Sequence, residues 1–140
     1  MDFVNSIIPW CSMNEKFINE EYALSEITAR IIAAATQVHK SLGPGFEEVI
    51  YQRALALELP AHDLAYSREV WIDIFYKGVK VGRKRVDFVI EDVMVEIKAR
   101  AEIEEVHFVQ ALSYLKASGC KVGLLLNFGA KKLQIRRLAN

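Results

Sequence analysis

The sequence is short of the residues that build several common kinds of site. Its two cysteines, Cys11 and Cys120, stand 109 positions apart. They form neither a metal spacing nor a disulfide framework. With no export signal, the expected compartment is a reducing cytoplasm. His39 and His62 have no partner at ligand spacing and read as structural. There is no glycine-rich phosphate loop, no Ser/His/Asp order and no CxxC. No stretch approaches the roughly 20 apolar residues of a membrane span, so no membrane partner is expected. Net charge is absent too: 18 basic side chains face 18 acidic ones. That balance argues against coating nucleic acid by bulk electrostatics, although it leaves room for a local basic face.

What is present is a globular composition. The 140 residues are 52% hydrophobic and 26% charged, which suits one domain. Residues Met1 to Met13 carry Phe3, Val4, Ile7, Ile8 and Trp10, yet Asp2 stands where a signal peptide has Lys or Arg. The segment is expected to be an N-terminal arm outside a core of residues 14–140, with Met13 as an alternative natural start.

Leu24, Ile27, Ile31, Ala34, Val38 and Leu42 recur every three or four residues and predict a helix over Glu21–Leu42. Gly43-Pro44-Gly45 stops it. A second helix is expected over Phe46–Leu59, ending at Pro60, with a loop to Ser67. The period then changes to two. Val70, Ile72, Ile74 and Tyr76 alternate, Lys77-Gly78 suits a tight turn, and a second strand covers Val79–Ile90. Its apolar set moves from odd positions (Val79, Val81) to even ones (Val86, Phe88, Ile90), so a bulge is expected near Gly82. A third strand over Val93–Ala99, a helix over Glu104–Ser118 capped by Gly119, an apolar strand over Val122–Phe128 and an edge strand around Leu133–Leu138 complete the order α-α-β-β-β-α-β-β.

If Glu91-Asp92 form the hairpin tip, Val89 faces Met94, Asp87 faces Glu96 and Arg85 faces Lys98. One face then carries Arg85, Asp87, Glu96 and Lys98. The other carries Val86, Phe88, Ile90, Val93, Val95 and Ile97 and is apolar. Facing side chains have Cβ atoms about 4.5–5.5 Å apart, where two carboxylates repel unless a cation joins them. Lys98 supplies one positive charge, and a hard divalent cation would supply two. A solvated face of balanced charges is the simpler explanation of such a hairpin. On the helices, Glu48 and Tyr51 are three apart, and His107, Gln110 and Tyr114 form a polar stripe; weak amphipathicity explains each by itself.

Together these residues resemble a known family. Asp87 followed by Glu96-Ile97-Lys98 is similar to the D…(D/E)xK core of the PD-(D/E)XK nuclease superfamily. Gly45, Glu48 and Tyr51 match the pattern of its GxxExxY branch, and Arg85-Val86-Asp87, His107 to Gln110 and Gly123 to Gly129 resemble further blocks of that branch. Gln110 with Tyr114 is similar to the QxxxY helix of RecB-type nucleases. The resemblance spans Asn14 to Leu138. Val86 stands where the superfamily's name places proline.

The resemblance implies an α/β, restriction-endonuclease-like fold with a central mixed sheet flanked by helices. It implies that Asp87, Glu96 and the Ile97 carbonyl hold Mg²⁺ or Mn²⁺, with Glu48 as an outer or direct ligand. Lys98 would orient the attacking water, and Gln110 and Tyr114 would position it or the phosphate. The implied activity is phosphodiester hydrolysis in DNA or RNA. Five cations between Lys77 and Arg85, with Lys80, Arg83, Lys84 and Arg85 nearest the site, suit the substrate backbone. Lys131, Lys132, Arg136 and Arg137 form a second basic group. The competing reading is a silent module of the same fold that binds nucleic acid or a protein partner. A homodimer is compatible with either.

Overall fold

Helix α1 spans Trp10–Leu42, and no Gly or Pro lies between its ends to interrupt it. The computed structural model describes residues 10–140, with side chains from residue 24 onward. The helix thus starts at Trp10 rather than at the expected Glu21. Most of the expected 1–13 arm lies outside the described residues.

Gly43 (φ 69°) and Gly45 (φ 116°) take backbone conformations that favour glycine, and they turn the chain into helix α2, Glu48–Glu58. Tyr51 pins that turn. Its hydroxyl donates to the Gly43 carbonyl and accepts from the Phe46 amide at 3.1 Å. Its ring is fully buried and stacks on Phe128 with centroids 4.9 Å apart. After α2, Pro60 opens a single 3-10 turn, Leu59–His62, where its missing N–H costs nothing. Part of the expected loop is therefore helical. Asp63 (φ 66°) ends the turn.

Strands β1 (Ser67–Tyr76), β2 (Val79–Ile90), β3 (Val93–Lys98), β4 (Val122–Asn127) and β5 (Gln134–Ala139) form one sheet in that spatial order. β3 and β4 run parallel across helix α3, Glu105–Ser118, and the other neighbours are antiparallel. The sheet is mixed and flanked by helices, as expected. Lys77 and Gly78 both have positive φ, which gives the β1–β2 turn the twist of its strands. Ile74 pairs with Gly82 but Phe75 with Lys80, so Val81 is the extra residue of the expected bulge. Gly119 (φ 75°) caps α3.

Alternation divides the core. Tyr51 and Leu55 of α2 pack with Phe88, Ile90, Val95, Ile97, Leu124 and Leu126 on one side of the sheet. Ala111 and Leu115 of α3 pack with Ile72, Met94, Leu125 and Leu138 on the other. All six residues of β4 are buried, as a strand covered on both faces must be. One expectation fails here. Val86 joins the α3 side with Ile72 and Met94, whereas Phe88, two residues on, joins the α2 side. β2 changes face around Asp87.

Candidate active site

Asp87 occupies a flaw in the sheet. On one flank Glu69 sits unpaired between Arg68↔Phe88 and Val70↔Val86, with φ 56°. A non-glycine residue there costs about 1–2 kcal/mol. On the other flank the β2–β3 ladder follows the expected register through Ile90↔Val93, Val89↔Met94 and Phe88↔Val95, then stops one pair short of Asp87 and Glu96. The side chains take over from the ladder. The Asp87 amide donates to Glu96 Oε1 at 3.1 Å, and the Ile97 amide donates to Asp87 Oδ2 at 2.8 Å. Strand amides freed by the splay are thus satisfied by the two carboxylates themselves.

The second oxygen of Asp87 has a partner that the sequence did not announce. Gln52 of α2 donates from Nε2 to Asp87 Oδ1 at 2.7 Å and is itself buried. Its one sequence signal is its position, one helical turn beyond Glu48 on the same face. Glu48 is exposed, and among the described residues no hydrogen bond or ion pair joins Glu48 or Gln110 to the carboxylates. No group of three or more His, Cys, Asp or Glu side chains converges as a metal cage among the described residues.

Burial, and next the charge of Asp87, push the Glu96 carboxyl up to about 7. The Asp87 amide, Lys84 and Lys98 pull it the other way. Lys84 thus lies within electrostatic reach of Glu96. Its Nζ also lies 5.1 Å from the centre of the Tyr114 ring, which ties α3 to the site. Lys98 is half-buried, and the Phe128 amide donates to its carbonyl at 2.8 Å. No ion pair occupies its Nζ among the described residues.

Behind Lys98 lies a network of buried amides. Asn127 is fully buried, and its Oδ1 accepts from the amides of Arg100 (2.9 Å) and Gly129 (3.1 Å). Its Nδ2 donates to the Arg100 carbonyl and to Gln134 Oε1, both at 2.8 Å. Gln134 Oε1 also accepts from the Ile103 amide at 3.1 Å. A Cβ on Gly129 would meet the Arg100 nitrogen at 2.3 Å, so the chain can pass there only as glycine. The Gly123–Gly129 block thus anchors the segment that follows Lys98.

Each histidine has a partner within the fold. His107 is buried in the α3 capping box, where its Nδ1 accepts from the Glu104 amide at 3.0 Å. His39 Nε2 meets the Ala130 carbonyl and His62 Nε2 meets Glu58. Among the described residues no helix is long and apolar enough to cross a membrane.

The structure is thus a mixed sheet with helices on both faces, parted where Asp87 and Glu96 meet. A family model of the PD-(D/E)XK nuclease superfamily matches residues 25–138, and the chain belongs to that superfamily. No curated protein and no solved structure matches it.

Proposed function

We propose that the chain is a divalent-metal-dependent nuclease of the GxxExxY branch, hydrolysing phosphodiester bonds in DNA or RNA. One observation carries this reading: the carboxylates of Asp87 and Glu96 are drawn together where β2 and β3 part, with Lys98 beside them. Their oxygens are hard donors, and Mg²⁺ or Mn²⁺ is typically held by one or two carboxylates with water and phosphate completing the shell. The donor set fits, with Asp87, Glu96 and the Ile97 carbonyl as holders and Glu48 acting from outside. Such a cation supplies Lewis-acid polarisation of the phosphate and a more acidic bound water.

The chain's own groups do the rest. Gln52 orients Asp87 through the 2.7 Å bond. Lys98 offsets the charge that develops on phosphate oxygens and orders the attacking water. Tyr114, with Gln110 a turn before it, positions the scissile phosphate. Lys80, Arg83, Lys84 and Arg85 hold the flanking backbone, Arg83 and Arg85 from exposed positions.

Purified protein incubated with Mg²⁺ or Mn²⁺ on single- and double-stranded DNA and RNA tests the reading. Metal-dependent products are expected, with a loss of about 10²–10⁴-fold in Lys98→Ala. Cleavage that persists unchanged in Asp87→Ala belongs to a contaminant and sinks it. The lack, among the described residues, of a third acidic or histidine side chain converging on the carboxylates favours one alternative, a silent module that binds without turnover. That alternative expects no metal-dependent products and binding that survives these substitutions.

A further inference from the structure

Among the described residues, no helix covers one face of the outer half of the β1–β2 hairpin. Across it Trp71 pairs with Arg85, Asp73 with Arg83 and Phe75 with Lys80. The opposite face holds Val70 and Ile72, which pack on the α3 side. Helices α1 and α2 lie over β3 and β4. Trp71 keeps 50% and Phe75 61% of their surface exposed, which is unusual for large rings on a sheet. Arg83 sits over the Trp71 ring at 4.0 Å and Arg85 at 5.6 Å.

We propose that this face is a stacking platform for unpaired bases of a single-stranded nucleic acid, leading the strand to Asp87. The inference rests on the nuclease reading and narrows its substrate to unpaired strands. Charge selects the partner. On this face Lys80, Arg83 and Arg85 stand against Asp73, which pairs with Lys80 at 3.0 Å, and Glu69, 3.9 Å from Arg85, an excess of one positive charge in a chain of zero net charge. That excess attracts a polyanion and repels a second copy of the same face. The rings select the form. A duplex buries its base faces in its own stack, whereas unpaired bases present them to aromatic side chains and to guanidinium planes. Position supports this. Trp71 lies opposite Arg85, two residues or about 7 Å along β2 from Asp87.

The test is fluorescence anisotropy in EDTA, where no cleavage interferes. Full-length protein is titrated onto a labelled single strand of about 15 nucleotides, and onto its duplex. The single strand is expected to bind more tightly. Trp71→Ala should weaken it by about 5- to 150-fold, with Trp71→Phe close to wild type and duplex binding little changed. Phe75→Ala should act in the same direction, and it decides the matter if Trp71→Ala lowers the melting temperature. Wild-type affinity in both alanine variants, a preference for duplex, no binding at all, or a change in oligomeric state in place of a change in Kd overturns the proposal. Asp87→Ala separates the two claims: it should keep full single-strand binding while losing cleavage. Absent cleavage with an intact platform would sink the nuclease reading alone.

Discussion

Asp87 and Glu96 are joined by each other's backbone: the Asp87 amide donates to Glu96 Oε1 at 3.1 Å, and the amide following Glu96, that of Ile97, donates to Asp87 Oδ2 at 2.8 Å. The arrangement holds two anions together at a point where the ladder has ended. Each carboxylate replaces a strand partner, so neither can swing away without orphaning an amide.

Gln52 is the first consequence. Gln52→Leu removes the donor on Asp87 Oδ1 from a buried site and should cost about 1.5–3 kcal/mol in urea denaturation, the range for hydrogen bonds to charged groups. Gln52→Glu should cost more, because it sets a third carboxylate against the pair. Wild-type stability in both variants would remove Gln52 from the site.

The pH dependence has a defined sign. Burial, with the charge of Asp87 second, holds the Glu96 carboxyl at about 7 in the fold, against 4.5 for an ordinary glutamate. Between those values the folded state binds more protons than the unfolded state, so stability falls as pH rises. The penalty is absent below the lower value and complete above the upper one, up to about 3 kcal/mol. In metal-free protein Glu96→Gln should flatten this slope and stabilise the fold at about pH 8. Melts at about pH 5 and about pH 8 check it; an unchanged slope in Glu96→Gln contradicts it.

Asn127→Ala strips partners from the Arg100 amide and carbonyl and from the Gly129 amide in one step. Each orphaned group costs about 1–3 kcal/mol, so the variant should lose at least about 2 kcal/mol. Turnover should fall further than stability alone explains, because the freed segment begins directly after Lys98. Activity per folded molecule, measured well below the melting temperature, separates the two effects.

Tyr51→Phe should behave differently. It removes the hydroxyl that ties Gly43 to Phe46 but keeps the stack on Phe128. A loss of about 1–3 kcal/mol is expected, with turnover per folded molecule unchanged. A large drop in turnover at full folding would place Tyr51 in the chemistry.

Local rules explain which parts were legible in the sequence. The alternation from Phe88 to Ile97, counted about a Glu91-Asp92 tip, set the β2–β3 register, and the shift of apolar parity near Gly82 foretold the bulge. Both are period-two signals, and each was written in the residues concerned. Gln52 was not legible, because its partner lies 35 positions away and only packing brings α2 onto β2. The face change at Asp87 was hidden because it depends on Glu69 taking a positive φ, which its residue type does not advertise. Asp87, Glu96 and Lys98 stood out by spacing. That neither Glu48 nor Gln110 bonds to them among the described residues is a matter of helix placement, which spacing alone does not carry.

The central claim is that Asp87 and Glu96 hold a divalent cation. Titration calorimetry of Mn²⁺ and Mg²⁺ into metal-free protein tests it most directly, with Asp87→Ala and Lys98→Ala alongside. The wild type should bind with proton release that grows as pH falls toward the Glu96 value of about 7. Asp87→Ala should lose the binding heat and Lys98→Ala should keep it. Equal heats in the wild type and in Asp87→Ala would contradict the account.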